Sequence, residues 1–301
     1  MLAGGFFPAV PAPLRADGSL DPLAQERYVT YMRGQAPSGV AVWAHTGRGL
    51  LLTRAQREHV LKSWRSGYPE GLIVAGAGGA SDDDAVRMAE EAAAWGADCL
   101  MAYAPVRHRG NPEAIVQYHR RLAAVGKPLI LFFLYEAAGG VTYSLDLLRE
   151  MVAIPGVAGI KMATLDSVMT FQDVAGLIRT AAPDKSLITG EDRFLGYSLM
   201  CGAQGALVGM GAACARLQHD LLRAWQAEDA ARFLQLNSKV DAFAQATFIA
   251  PMEGYIRRML WALVALGVIG EEAAHDPWGP EVSKAERDRI VAVMKQIGEL
   301  V

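Results

Sequence analysis

The side chain with the clearest chemical potential is Lys161, which closes the run Gly156-Val-Ala-Gly-Ile-Lys161, apolar at every other position. An ammonium held in such surroundings loses hydration, and burial favours its neutral form. A neutral amine in a dry pocket is the nucleophile that forms an imine with a carbonyl compound. The plainer reading is a strand-end lysine whose head reaches solvent or pairs with a carboxylate. Further candidates also follow apolar runs: His45-Thr46-Gly47, Arg107-His108-Arg109, Tyr135, Gly190-Glu191-Asp192 and Val208-Gly209. Histidine titrates near neutrality, so His45 is an acid–base candidate, with a purely structural histidine as the alternative.

Those runs must be positioned by a repeated element. Phe6–Val10, Gly39–His45, Gly71–Gly76, Cys99–Pro105, Leu129–Tyr135, Gly156–Met162, Ser186–Gly190 and Gly205–Met210 are short and apolar, as strands of a parallel sheet buried on both faces must be. Helical stretches with start signals lie between them: Thr53 before Arg54–Ser66 with Gly67 as stop, Ser81 before Asp82-Asp83-Asp84, and Asn111-Pro112 before Glu113–Ala124. The acidic triplet suits the positive end of a helix dipole better than a metal. Eight strand–helix alternations within roughly 225 residues predict a closed (β/α)8 TIM barrel, with the site at the carboxyl ends of the strands. Beyond it the pattern is helical only, over Ala230–Phe248, Met252–Leu266 and Ser283–Leu300. The division expected is a catalytic barrel over 1–225 and a helical region over 226–301 packed against it.

Composition narrows the function. The chain has 301 residues, 52% hydrophobic, and a formal net charge of −3, which leaves no electrostatic footprint for nucleic acid or an anionic membrane. No window reaches about 18 uninterrupted apolar residues, and Met1 to Val10 lacks the form of a signal peptide, so a cytoplasmic protein is expected. Cys99, Cys201 and Cys214 form no CxxC pair and are expected to be buried free thiols. The glycines of Gly76–Gly79 do not make a nucleotide fingerprint.

The stretches Phe7-Pro8-Ala9-Val10, Asp17-Gly18-Ser19-Leu20-Asp21, His45-Thr46-Gly47, Gly159-Ile160-Lys161-Met162-Ala163-Thr164 and Gly202-Ala203-Gln204-Gly205, in this order, resemble the dihydrodipicolinate synthase/N-acetylneuraminate lyase family over almost the whole chain. The resemblance implies a barrel with a C-terminal helical extension, a Schiff-base lysine at Lys161, no cofactor or metal, and a homo-oligomer, dimer or tetramer. It places the keto acid carboxylate at Thr46 and Gly47, with His45 where the family keeps a small hydroxyl residue. Ungapped, it puts Phe133 at the family's catalytic tyrosine. Tyr135, two residues on and expected on the same strand face, takes that place if the following loop is two residues shorter. The ungapped alignment also puts Ala138 at the synthase's substrate-binding arginine, and with or without the gap no arginine lies between Tyr135 and Gly140, which speaks against dihydrodipicolinate synthesis. Asp192 falls where neuraminate lyases contact a polyhydroxy chain, and Leu207 and Val208 line the substrate from the last strand. Arg48, Arg107, His108 and Arg109 are either solvated surface or the receptor of a second anionic group, Arg107 first among them. The activity implied is a lyase acting on a 2-keto acid such as pyruvate or a pyruvate-derived sugar acid, by carbon–carbon cleavage or condensation. A dehydratase using the same imine and an inactive keto acid-binding protein are the alternatives.

Overall fold

The computed structural model of the chain describes residues 2, 4–165 and 167–300; Met1 and Ala3, in the segment considered above for a signal peptide, lie outside them. Each of the eight apolar runs supplies a strand: β1 (Phe6–Pro8), β2 (Gly39–Val42), β3 (Leu72–Ala77), β4 (Cys99–Ala102), β5 (Leu129–Leu134), β6 (Val157–Ala163), β7 (Ser186–Thr189) and β8 (Gly205–Val208). All neighbours pair in parallel, in the order β1-β8-β7-β6-β5-β4-β3-β2. A bridge between Ala9 and Ala41, with the Val10 N–H donating to the Ala41 carbonyl at 3.0 Å, joins the two ends. The sheet is therefore a TIM barrel.

Helices α1 (Pro22–Gln35), α2 (Arg54–Gly67), α3 (Asp82–Trp95), α4 (Pro112–Ala123), α5 (Leu145–Val152), α6 (Val168–Ala181), α7 (Leu195–Met200) and α8 (Ala215–Gln226) follow the strands in turn. The expected start signals act as such. Thr53 and Ser81 make capping boxes at α2 and α3, and Asn111 accepts from the Ala114 N–H at the start of α4. Gly67 does not stop α2; it is its last residue, and Tyr68 caps the helix.

Alternation along the strands sorts the core into two. Phe7, Val74, Met101, Ile130, Phe132 and Ile188 fill the barrel interior. Phe6, Val40, Leu131, Phe133, Ile160 and Met162 face the helices. Cys99 and Cys214 are buried free thiols, while Cys201 is only partly buried. No described helix is long and apolar enough to cross a membrane.

Three further helices complete the chain: α9 (Ala230–Thr247), α10 (Tyr255–Ala265) and α11 (Lys284–Ile297), with Ser283 capping the last. Arg258 locks them together. It is 1% exposed, and its guanidinium donates to Glu286 at 2.8 and 2.9 Å and to the carbonyls of Thr247, Ile249 and Pro251. Because α10 begins at Tyr255, three residues earlier, this guanidinium also fixes where that helix enters the barrel mouth. Removing one partner of a buried ion pair costs about 3–5 kcal/mol. Glu286 is partly hydrated, so Arg258→Met is expected to lower unfolding free energy by about 2–4 kcal/mol in urea titrations. A loss below about 0.5 kcal/mol would show that the tail does not depend on this residue.

Candidate active site

Lys161 lies in β6 beside Phe132 of β5 and Ile188 of β7, both interior positions. It is 5% exposed, and its Nζ lies 4.3 Å from the centre of the Phe132 ring. Burial draws the ammonium down to about 8, against the opposing pull of the Asp192 and Glu191 carboxylates. The amine is thereby partly neutral near physiological pH, where an ordinary lysine is almost wholly charged. Gly190, at the end of β7, makes room for it: a Cβ there would stand 2.5 Å from the Lys161 Cε and 2.9 Å from the Met162 carbonyl.

The two carboxylates that follow Gly190 are fixed differently. Glu191 accepts from the Thr164 N–H (2.6 Å) and hydroxyl (2.7 Å), and from the Leu165 N–H (3.0 Å). Burial nevertheless raises it to about 7. Asp192 accepts from the Met210 N–H at 2.7 Å, and burial moves it upward as well. A positive lysine beside two carboxylates that resist ionisation makes a site in which one proton is easily redistributed.

The opposite wall comes from the loop after β2 and from the C-terminal region. The Tyr255 hydroxyl lies 2.9 Å from the Thr46 Oγ1 and 3.1 Å from the His45 Nδ1. The His45 Nε2 lies 3.4 Å from Glu253, whose side chain is 37% exposed. Burial lowers the imidazole to about 4, so it is neutral at working pH. One proton arrangement satisfies all of these contacts: Nε2–H donates to Glu253, and Nδ1 accepts from the Tyr255 phenol, which accepts from Thr46. The Tyr255 ring stacks on Phe248 at 4.6 Å. Gly209, after β8, permits this approach, since a Cβ there would lie 2.9 Å from the Tyr255 ring and 3.0 Å from the Thr46 Oγ1.

The structure thus gathers Lys161, His45, Thr46, Tyr135 and Asp192 around one cavity. Tyr135 and Phe133 do not share a face, contrary to the alternation expected. Phe133 points outward against Tyr143 (5.4 Å), while the chain leaves the strand after Leu134 and turns Tyr135 into the cavity. Gly47 is buried beside this cavity and does not line it; a side chain there would meet the Val10 carbonyl. Leu207 and Val208 do not line it either. Leu207 fills the barrel interior, Val208 faces the helices, and Gly209 is the lining residue.

The basic cluster is also placed otherwise. Arg48 is held between Asp276 (2.7 Å) and Glu253 (2.9 Å). Arg107 donates through Nε to Asp82 (2.7 Å) and to the Gly79 carbonyl (3.0 Å), and His108 lies 2.9 Å from the same Asp82 oxygen. Arg109 donates to the Gly140 carbonyl at 3.0 Å. None of Arg48, Arg107, His108 and Arg109 lines the Lys161 cavity. Asp82 is therefore an ion-pair partner as well as a helix-start residue. Sequence reasoning missed Tyr255, Glu253, Phe248 and Arg193, the last an exposed cation of the cavity that donates to the Phe248 carbonyl. The three tail residues sit around the start of α10, and nothing in their spacing marks them.

The buried amine of Lys161 shares its cavity at the carboxyl end of this TIM barrel with the phenols of Tyr135 and Tyr255. The profile of the Dihydrodipicolinate synthetase family matches residues 2–297, and the chain belongs to that family. It is 27% identical over 304 residues to the 4-hydroxy-tetrahydrodipicolinate synthase of Aromatoleum aromaticum, covering 98% of each chain. It is 26% identical to a probable 2-dehydro-3-deoxy-D-pentonate aldolase of Escherichia coli K12, over 78% of this chain and 79% of the other. Among solved structures it is similar to YagE, a prophage protein of the dihydrodipicolinic acid synthase family from E. coli K12 in complex with pyruvate. That likeness has a TM-score of 0.89 at 19% identity and covers 99% of both chains.

Side-chain NMR with isotope-labelled lysine tests the electrostatics without a substrate. Lys161 should titrate at about 8, whereas an unperturbed lysine titrates near 10.4. Asp192→Asn removes a charge that favours the ammonium, so the midpoint should fall. A midpoint above 10, or one that rises in the variant, contradicts this description of the site.

Proposed function

We propose that this protein is a class I lyase that binds a 2-keto acid as an imine on Lys161 and makes or breaks a carbon–carbon bond next to it. The observation that carries the proposal is the buried, partly neutral amine in a cavity with two phenols and an imidazole. The Lys161 amine attacks the keto carbon, and the carbinolamine oxygen takes up protons and leaves as water. The resulting iminium withdraws the electron pair of the C3–C4 bond. The proton of the C4 hydroxyl passes to a base, an aldehyde departs, and the enamine is protonated at C3. Hydrolysis then returns pyruvate and the free amine. Condensation is the reverse.

The keto acid carboxylate is assigned to the Thr46 N–H, which has no backbone acceptor among the described residues, and to the Thr46 hydroxyl, whose proton turns from Tyr255 to the carboxylate when the acid binds. Tyr135 is assigned to the substrate's proton transfers. Tyr255, His45 and Glu253 form the path between the cavity and solvent. A protein that only binds keto acids would keep apolar groups in place of these. Phe132 does lie against the amine, but the phenols and the imidazole line the same cavity and support turnover.

Incubation with pyruvate and borohydride should leave one reduced pyruvyl adduct on Lys161, located by peptide mass spectrometry, and Lys161→Ala should leave none. An adduct elsewhere, or none with any 2-keto acid, overturns the proposal. Tyr135→Phe and Tyr255→Phe each remove one hydroxyl and are expected to slow turnover by roughly 10²- to 10⁴-fold with the fold intact. Unchanged turnover in either variant would free that phenol from the assigned role.

A further inference from the structure

The space at Lys161 is about 40 Å³, room for roughly three waters, which suits a pyruvyl unit and little beyond it. The rest of any substrate must lie elsewhere. A second cavity of about 440 Å³ lies beside that space, with His45 as a wall common to both. Its apolar walls include Leu50, Leu51, Tyr103, Ala104, Val106 and Ala138. A dry 150 Å³ cavity already accepts a benzene ring, so this one has room for a ring or a branched chain.

The polar groups of this compartment are already engaged. The Tyr103 hydroxyl donates to the Trp43 carbonyl at 2.7 Å. Arg107 is compensated by Asp82 and bonded to the Gly79 carbonyl, and its guanidinium lies 5.2 Å from the centre of the Tyr118 ring. Arg48 sits between two carboxylates, so its surroundings repel a further anion. Hydroxyls entering here would exchange water for methyl groups, and an unmatched polar group loses free energy on such transfer. An apolar group would gain by the same transfer.

We infer that this compartment holds the far end of the substrate, and that this end is an aromatic ring or branched hydrocarbon rather than an acidic or polyhydroxylated chain. The aldehyde partner of the lyase reaction is then an apolar aldehyde. The inference rests on the imine reading of Lys161. It replaces the anionic tail that the basic residues suggest in sequence, because acids elsewhere in the chain neutralise those residues.

The test measures pyruvate-dependent condensation by the whole enzyme with benzaldehyde and 3-methylbutanal, against glyceraldehyde and arabinose, with borohydride trapping of pyruvate in parallel. The apolar aldehydes should be favoured in kcat/KM by about 10- to 200-fold, the range over which hydrophobic contacts discriminate. Leu51→Asp, at a half-exposed position, should shrink that ratio about tenfold or more, whereas a general structural defect would lower both substrate types alike. Trapping on Lys161 together with equal or reversed preference overturns the inference and leaves the imine reading standing. A ratio unmoved by Leu51→Asp also overturns it, the leucines then serving another contact such as a second chain. Failure of trapping removes both.

Discussion

Desolvation of one amine organises this molecule. Lys161 stands inside a barrel whose neighbouring interior positions are Phe132 and Ile188, so its ammonium has lost most of its water. Buried charge is tolerated only with compensation, and the compensation here is partial. The Glu191 oxygens are occupied by Thr164 and Leu165, and one Asp192 oxygen by the Met210 N–H. The carboxylates lie close enough to favour the ammonium without restoring its ordinary basicity. A pairing strong enough to hold the lysine charged would have abolished its nucleophilicity.

The second constraint is that the barrel cannot complete this site by itself. The loop after β2 brings His45, Thr46 and Arg48 to the mouth, but each takes its partner from the C-terminal region: Tyr255, Glu253 and Asp276. Asp276 is 2% exposed and holds Arg48, Arg48 holds Glu253, and Glu253 faces His45. Arg258 fixes the helix that carries Tyr255. The tail is thus a wall of the cavity, and the geometry of the phenol inherits the stability of an ion network whose partners lie more than 200 positions apart in sequence.

How much of this the sequence could reveal depended on the range of the interactions. Strands and helix starts are local: apolar runs such as Leu129–Leu134 and caps such as Thr53 or Ser81 act within a few residues, and they were legible. Lys161 was legible for the same reason, being a single cation in an apolar strand. Tyr255 was not, because its partners Thr46 and His45 lie more than 200 positions away. The facing of Tyr135 was also hidden. Period-two alternation holds only while the chain remains a strand, and the chain leaves β5 one residue before it.

The basic residues illustrate the same limit with a chemical consequence. Arg48, Arg107 and His108 follow strand ends, where a cation would meet an anionic substrate. Sequence shows the cations but not their neutralisation, since Asp82 and Asp276 lie 25 and 228 positions from Arg107 and Arg48. At a mouth shielded by leucines and alanines an unpaired guanidinium would remain poorly hydrated, so internal carboxylates are favoured partners. Once paired, these residues become rigid walls rather than receptors. The polarity that the site presents to a ligand is set by what those acids leave unneutralised: the amine of Lys161, the Tyr135 phenol, the guanidinium of Arg193 at the cavity edge, and the apolar surface that the paired arginines hold in place.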